Sequence, residues 1–284
     1  MRLSCSDYSF PLLPHDDACE LIRMLGFDAV DVGLWGAHSH LRPGQLEADP
    51  VGWAERLEQR IHGRGLAIAD VFLIPHADYA VMAVNNPSAD ERARGRERFE
   101  EIARLAAQLG VPGLSLIPGL DFDGVDHEAS LELAAEELSA RVEVGRTVGV
   151  RVSVEPHIGS VSASPADLRR LLELAPGLEV TLDVSHFVMQ GFAVEELDPV
   201  LPRVRHVHTR AARAERLQVG MKENAIDFER LLDALRAVDY DGCVSCEYLW
   251  IDQGRCDEAD TLSETILMRD RLRKHLDGGE AAAA

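Results

Sequence analysis

The sequence predicts an α/β fold, specifically a (β/α)8 TIM barrel, and three observations carry that reading. Short apolar runs alternate with amphipathic stretches eight times along 284 residues. Strands alternating with helices pair in parallel through right-handed crossovers, and eight such units are what a closed barrel needs. The first strand-helix turn has no Gly-x-Gly-x-x-Gly, which weakens the competing open sheet of dinucleotide-binding proteins. Between Arg151 and Tyr248, moreover, four strands each end in one side chain of metal-binding type. A barrel takes about 250 residues, so we expect a single domain over residues 1–276 and a flexible C-terminal tail over 277–284, Asp-Gly-Gly-Glu-Ala-Ala-Ala-Ala.

The elements follow in order. Leu3 to Ser6 reads as the first strand, and a helix from about Asp16 to Leu25 stops at Gly26, a C-cap. Ala29–Trp35 is the second strand. Asp49-Pro50 supplies an N-cap and a first-turn proline for a helix to about Gly63. Ala67–Ile74 is the third strand, and Ser88 caps a long helix whose Phe99, Ile102, Leu105 and Leu109 form one stripe ending at Gly110. Leu114–Ile117, a helix from about Glu128 to Thr147, and Val150–Glu155 come next. Ser164-Pro-Ala-Asp167 is a capping box opening the helix of Leu168, Leu171, Leu172 and Ala175. Glu179–Asp183, a short helix near Val194–Val200, and Val204–His208 follow. Asp227 opens the helix of Phe228, Leu231, Leu232 and Leu235, Cys243–Glu247 is the eighth strand, and the last helix spans about Asp260 to His275.

Composition excludes several functions. A formal charge of −20 repels phosphodiester backbones, and no lysine-arginine block relieves it, so nucleic acid is not an expected partner. No run of 18 apolar residues could span a membrane, and the first residues lack the apolar core of a secretory signal. We therefore expect a cytoplasmic protein with no membrane partner. Cys243 and Cys246 form the only close cysteine pair, but residues three apart on a strand face opposite sides, so the five cysteines read as buried thiols.

The chemistry sits at the strand ends. Glu155, Asp183, His208 and Glu247 close four successive strands, with Ser153, Thr181, His206 and Ser245 on the same face and Val152, Val154, Leu182, Val207, Val244 and Cys246 on the other. In such a barrel those ends form the rim where catalytic groups gather. Three carboxylates without a cation repel, by about 4 kcal/mol for two charges 4 Å apart at an effective dielectric near 20. A divalent ion removes that penalty. Oxygen-rich ligation with one imidazole favours Mn²⁺ first, with Mg²⁺, Co²⁺, Fe²⁺ and Zn²⁺ as alternatives.

The motifs Val-Glu-Pro-His157, Thr-Leu-Asp-Val-Ser-His186, Arg-His-Val-His208 and Ile226-Asp-Phe…Gly242-x-Val-x-x-Glu247 resemble the sugar phosphate isomerase/epimerase family of xylose-isomerase-like barrels. The resemblance implies a metal held by Glu155, Asp183, His208 and Glu247, with Glu155 and Glu247 also serving as acid and base and His186 touching substrate. It also admits a homo-oligomer. Where many relatives carry Leu-Lys-Asp after the strand-seven histidine, this chain has Thr209-Arg210-Ala211. The glutamate that one branch places shortly after the strand-five glutamate is absent from Pro-His-Ile-Gly-Ser-Val.

The expected activity is a divalent-metal-dependent isomerisation or epimerisation of a sugar or keto-sugar by proton abstraction next to a carbonyl, through a metal-stabilised enediolate. If Glu155 and Glu247 flank the carbon, one removes the proton and the other returns it. A lyase on the same site is the alternative, such as a keto-inositol dehydratase or a deglycosidase eliminating from a 3-keto sugar. A third reading, an endonuclease-IV-like DNA repair enzyme, needs more ligands on the early strands and a basic surface. Each residue also has a plainer role: Glu155 in a salt bridge, Asp183 capping a turn, His206 packed behind the site. His157 contacts either substrate or backbone, and Arg210 binds an anionic or sugar oxygen or belongs to a solvated loop with Arg213 and Arg216. His38, His40 and His76 follow strands two and three, and Trp35, Phe72, Phe187 and Trp250 are candidates for an apolar wall.

Overall fold

Eight parallel strands close into one barrel in sequence order, β1 pairing with both β2 and β8. The computed structural model describes residues 1–36 and 38–283. The strands are β1 (Arg2–Ser6), β2 (Ala29–Leu34), β3 (Ala67–Leu73), β4 (Gly113–Leu116), β5 (Arg151–Val154), β6 (Glu179–Asp183), β7 (Val204–Thr209) and β8 (Cys243–Cys246). The helices are α1 (His15–Met24), α2 (Pro43–Ala48), α3 (Pro50–Arg60), α4 (Ala89–Gln108), α5 (His127–Val148), α6 (Pro165–Leu174), α7 (Ser185–Val188), α8 (Phe228–Ala237) and α9 (Thr261–Ala283).

Capping chemistry sets several helix starts. The side chains of Asp49, Asp126, Ser164 and Asp227 accept the first free backbone N–H groups of α3, α5, α6 and α8. Ser88 occupies the N-cap of α4 but its side chain makes no capping bond. That helix is held instead by Phe99, Ile102 and Leu105, buried in the layer between sheet and helices and contributing about 1.5–3 kcal/mol each.

Four elements differ from the sequence reading, one of them the short helix α2, Pro43–Ala48, which no periodicity marks. The segment after β6 is a 3-10 helix, Val194–Arg203, because Pro199 and Pro202 inside it remove the N–H groups an α-helix needs. The one-turn α7 follows β6 directly, too short for any periodicity to mark. The last helix continues past His275 to Ala283, where alanines of high helix propensity succeed the glycines; Ala284 lies outside the described residues. Among the described residues no helix is long and apolar enough to cross a membrane.

The two faces of the strands part as alternation requires. Val152, Val154, Leu182, Val207, Val244 and Cys246 join the apolar layer under the helices. Cys243 lies in a separate small cluster with Ala29 and Ala69, so the two cysteines do face apart, and all five cysteines are free and buried. Inside the barrel, Ser153 and Thr181 belong to a polar plug below the rim. Arg205 donates to Asp70 Oδ1 at 2.5 Å and to the hydroxyls of Ser115 and Ser153 at 2.9 and 2.7 Å, while Thr181 Oγ1 bonds both serines. Removing one member of a buried pair strands the other charge. We expect Asp70→Asn to lower unfolding stability by roughly 3 kcal/mol, read from urea denaturation with the m-value unchanged.

Candidate metal and proton-transfer site

Strand register brings the rim residues together. Asp183 on β6 lies directly across from His208 on β7, and the N–H of Glu247 donates to Thr209 O while that of Glu155 donates to Leu116 O, which locks both glutamates at the strand ends. All four side chains are buried.

Three of them converge. His208 Nδ1 stands 2.5 Å from Glu155 Oε1 and 3.2 Å from Glu247 Oε1, and one ligand atom from each of the three residues lies within 4.8 Å of the others. Asp183 stands beside this trio rather than in it. Its Oδ1 accepts the N–H of Ser185 and its Oδ2 accepts from Arg210 Nη2 at 2.5 Å.

Arg210 is the unexpected member. Its buried guanidinium also reaches to 3.3 Å from Glu247 Oε2, donates from Nε to Ser185 Oγ at 3.0 Å, and lies 3.1 Å from His186 Nε2. It is an internal counter-ion for two rim carboxylates, whereas Arg213 and Arg216 pair with Glu223 and Glu258 nearer the surface. Its Nη1 is buried without a hydrogen-bond partner, and the side chain lines the cleft.

The electrostatics follow from burial and these contacts. Burial alone raises the pKa of every carboxyl here, but His208 and His157 hold Glu155 well below its usual range, and Arg210 holds Asp183 down. For Glu247 burial prevails against His208 and Arg210, and its pKa is pushed up to about 7. Burial lowers His208, yet Glu247, Glu155 and Asp31 together carry it well above its ordinary value. Burial, reinforced by the neighbouring His157, pushes His186 down to about 3, so that ring is neutral.

Two members went unread in the sequence. Asp31 on β2 accepts from His206 Nε2 at 2.7 Å and lies 3.4 Å from His208 Nε2. His206 therefore packs behind the site, with Asp31 as its anchor. Tyr8, just past β1, donates its hydroxyl to Glu247 Oε1 at 2.7 Å. A lone aspartate flanked by valines in Val30-Asp31-Val32 was the available signal; Tyr8 had none.

The donor set fits a divalent cation: two carboxylate oxygens and one imidazole nitrogen converge, Glu247 Oε2 has no hydrogen-bond partner, and Asp31 backs the far side of the histidine. Carboxylates behind metal-bound histidines fix their orientation and basicity. Asp31→Asn is accordingly expected to weaken divalent-metal affinity by about 10- to 100-fold in a chelator-competition titration.

His157 and His186 stack with ring centroids 4.4 Å apart beside the trio, His157 Nε2 bonding Glu155 Oε2. Both line the cleft of about 300 Å³ that opens above Glu155 and Glu247. Trp35 and Phe72 wall it, while Phe187 sits in the main core and Trp250 is 40% exposed elsewhere. His38 and His76 are exposed and His40 bonds Asp7 O, so none of the three lines the cleft.

Comparison with known proteins agrees with this architecture. An uncharacterized protein of Methanocaldococcus jannaschii is 25% identical over 245 residues, covering 80% of this chain and 77% of that one. A D-tagatose 3-epimerase-like protein superposes with a TM-score of 0.74 at 20% identity over 100% of both chains. A "probable 3-DHS dehydratase" of petrobactin synthesis from Bacillus anthracis gives 0.71 at 18% identity, over 95% of this chain and 99% of the other. An IolI protein with a bound zinc atom also gives 0.71, at 17% identity over 95% and 96%. At these identities the likeness is one of fold. The family model described as xylose isomerase-like TIM barrel matches residues 19–271, and the chain belongs to that family.

Proposed function

We propose that this protein is a divalent-metal-dependent isomerase or epimerase of a sugar or keto-sugar, in which Glu155 and Glu247 move a proton on the carbon next to a carbonyl. The observation that carries the reading is the convergence of Glu155, His208 and Glu247, two of which, Glu155 and Glu247, line the cleft together with His157, His186 and Arg210.

Glu155, His208 and Glu247 would hold the ion, with Asp183 adjacent; Mn²⁺ is the first choice for that donor set. Bound there, a divalent ion polarises a carbonyl oxygen and makes the neighbouring C–H more acidic. The protein's own groups supply the rest. Glu247, with Oε1 held by Tyr8 and Oε2 3.3 Å from Arg210 Nη2, is the carboxylate at the cleft that takes a proton in this reading. Glu155 Oε2, paired with His157 Nε2, is the second proton site. Return of the proton to the opposite face of the same carbon is epimerisation, and return to the adjacent carbon is isomerisation. Neutral His186 and the unpartnered Nη1 of Arg210 are donors for substrate oxygens.

That Arg210 donor also favours a second reading, a lyase, because a fixed cation suits a departing oxygen. The test incubates metal-loaded protein with ketoses, aldoses and keto-glycosides in deuterium oxide. We expect deuterium at the carbon beside the carbonyl with product of otherwise equal mass. An irreversible product of lower mass selects the lyase, and absence of exchange across the panel overturns the proton-transfer reading.

A further inference from the structure

Above its polar floor the cleft is apolar. Trp35, Phe72, Ile74 and Leu249 form a hydrophobic cluster separate from the main core, with Leu217 and Ile251 packed against it, and all six line the cleft. Ile158, at the mouth, is 42% exposed. Among the described residues, the lining beyond the five polar residues of the floor offers three polar groups, the Tyr79 hydroxyl, the Gln253 amide and the unpartnered indole N–H of Trp35.

This distribution does not suit a free sugar. A monosaccharide carries a hydroxyl on nearly every carbon, and each one buried without a partner forfeits its bonds to water. Donors and acceptors sufficient for one face of a sugar ring are gathered at the floor; the walls above add only a few, and most of their lining is aliphatic or aromatic. The aromatic pair Trp35 and Phe72, centroids 6.5 Å apart and tilted at 54°, instead presents flat apolar surface. A volume of about 300 Å³ reaches the range of pockets for drug-sized ligands.

We propose that the substrate is a keto-sugar carrying an aromatic substituent, an aryl glycoside whose oxidised ring meets the glutamates while its aglycone lies against Trp35, Phe72, Leu249 and Ile251. This rests on the proton-transfer reading for its chemistry, and on the lining for its substrate class. The polar floor selects the carbonyl and its neighbouring hydroxyl; the walls select the substituent.

The test compares phenyl 3-ketoglucoside, methyl 3-ketoglucoside and D-fructose with Mn²⁺-loaded protein. Deuterium exchange is followed by NMR, and binding of the unoxidised phenyl and methyl glucosides by calorimetry. The phenyl compounds are expected to bind and exchange better than the methyl compounds by about tenfold or more, from the apolar area the ring covers. Ile251→Asn, with Leu217→Asn as a second variant, is expected to erase the phenyl-over-methyl preference. Equal or better handling of the methyl glycoside or fructose overturns the aryl-glycoside assignment while leaving proton transfer intact. Exchange with none of the three, alongside a retained phenyl preference in calorimetry, overturns the chemistry and leaves the substrate class standing. Absence of binding by either glucoside overturns the proposal.

Discussion

Replacing Glu247 by Gln lowers carbon-bound proton exchange by about 100- to 10,000-fold, the usual worth of a positioned acid-base group, and does so without unfolding the barrel. The amide keeps the shape and an oxygen for Tyr8, yet cannot take up or return a proton as the carboxylate does. Stability of the metal-free protein moves the other way. Burial raises the Glu247 carboxyl from 4.5 to about 7 on folding. A raised carboxyl binds its proton more tightly in the folded chain, so its contribution to stability is lost as pH rises from about 4.5 through about 7. In chelator, Glu247→Gln therefore shows a Tm level with wild type at pH 5 and equal or higher at pH 8, measured by thermal denaturation. A variant both inactive and severely destabilised at pH 8 would mark Glu247 as structural.

Arg210→Met is expected to be the most damaging single change at the site. The guanidinium is fully buried and neutralises Asp183 at 2.5 Å and Glu247 at 3.3 Å. Methionine fills much of the volume but leaves Asp183 without its guanidinium and Glu247 with only His208 and Tyr8, a loss of about 3–5 kcal/mol, or a Tm lower by roughly 5–8 °C for a chain of this size. A divalent cation that binds the folded cluster restores part of it by mass action. Thermal melts in chelator and in Mn²⁺ read this directly: the Mn²⁺-induced rise in Tm should be larger in the variant than in wild type. An Arg210→Met protein as stable as wild type in chelator would show that the guanidinium is not compensating buried charge.

The barrel was readable because its signals are local. Alternation along Val152-Ser153-Val154 and Thr181-Leu182-Asp183 records which face meets the helices, and the caps at Asp49, Ser164 and Asp227 record where helices begin. The rim glutamates and His208 share one strand position each, so their convergence follows from topology alone. What escaped notice depends on pairs far apart in the chain. Asp31 meets His206 across 175 residues and Asp70 meets Arg205 across 135, and neither partner marks the other in sequence. Arg210 was readable as a polar rim residue, but not its direction. Only the fold brings Asp183, Ser185 and Glu247 around its guanidinium and makes the candidate substrate contact an internal counter-ion as well.

The central claim is that Glu155, His208 and Glu247 form one divalent-cation site. Anomalous diffraction from a crystal soaked in Mn²⁺ tests it most directly. The expected result is one strong peak bounded by Glu155 Oε1, His208 Nδ1 and Glu247, at oxygen and nitrogen distances of about 2.0–2.3 Å, and its loss in Glu155→Gln. A rim without a peak, with Arg210 still bridging Asp183 and Glu247, would contradict it.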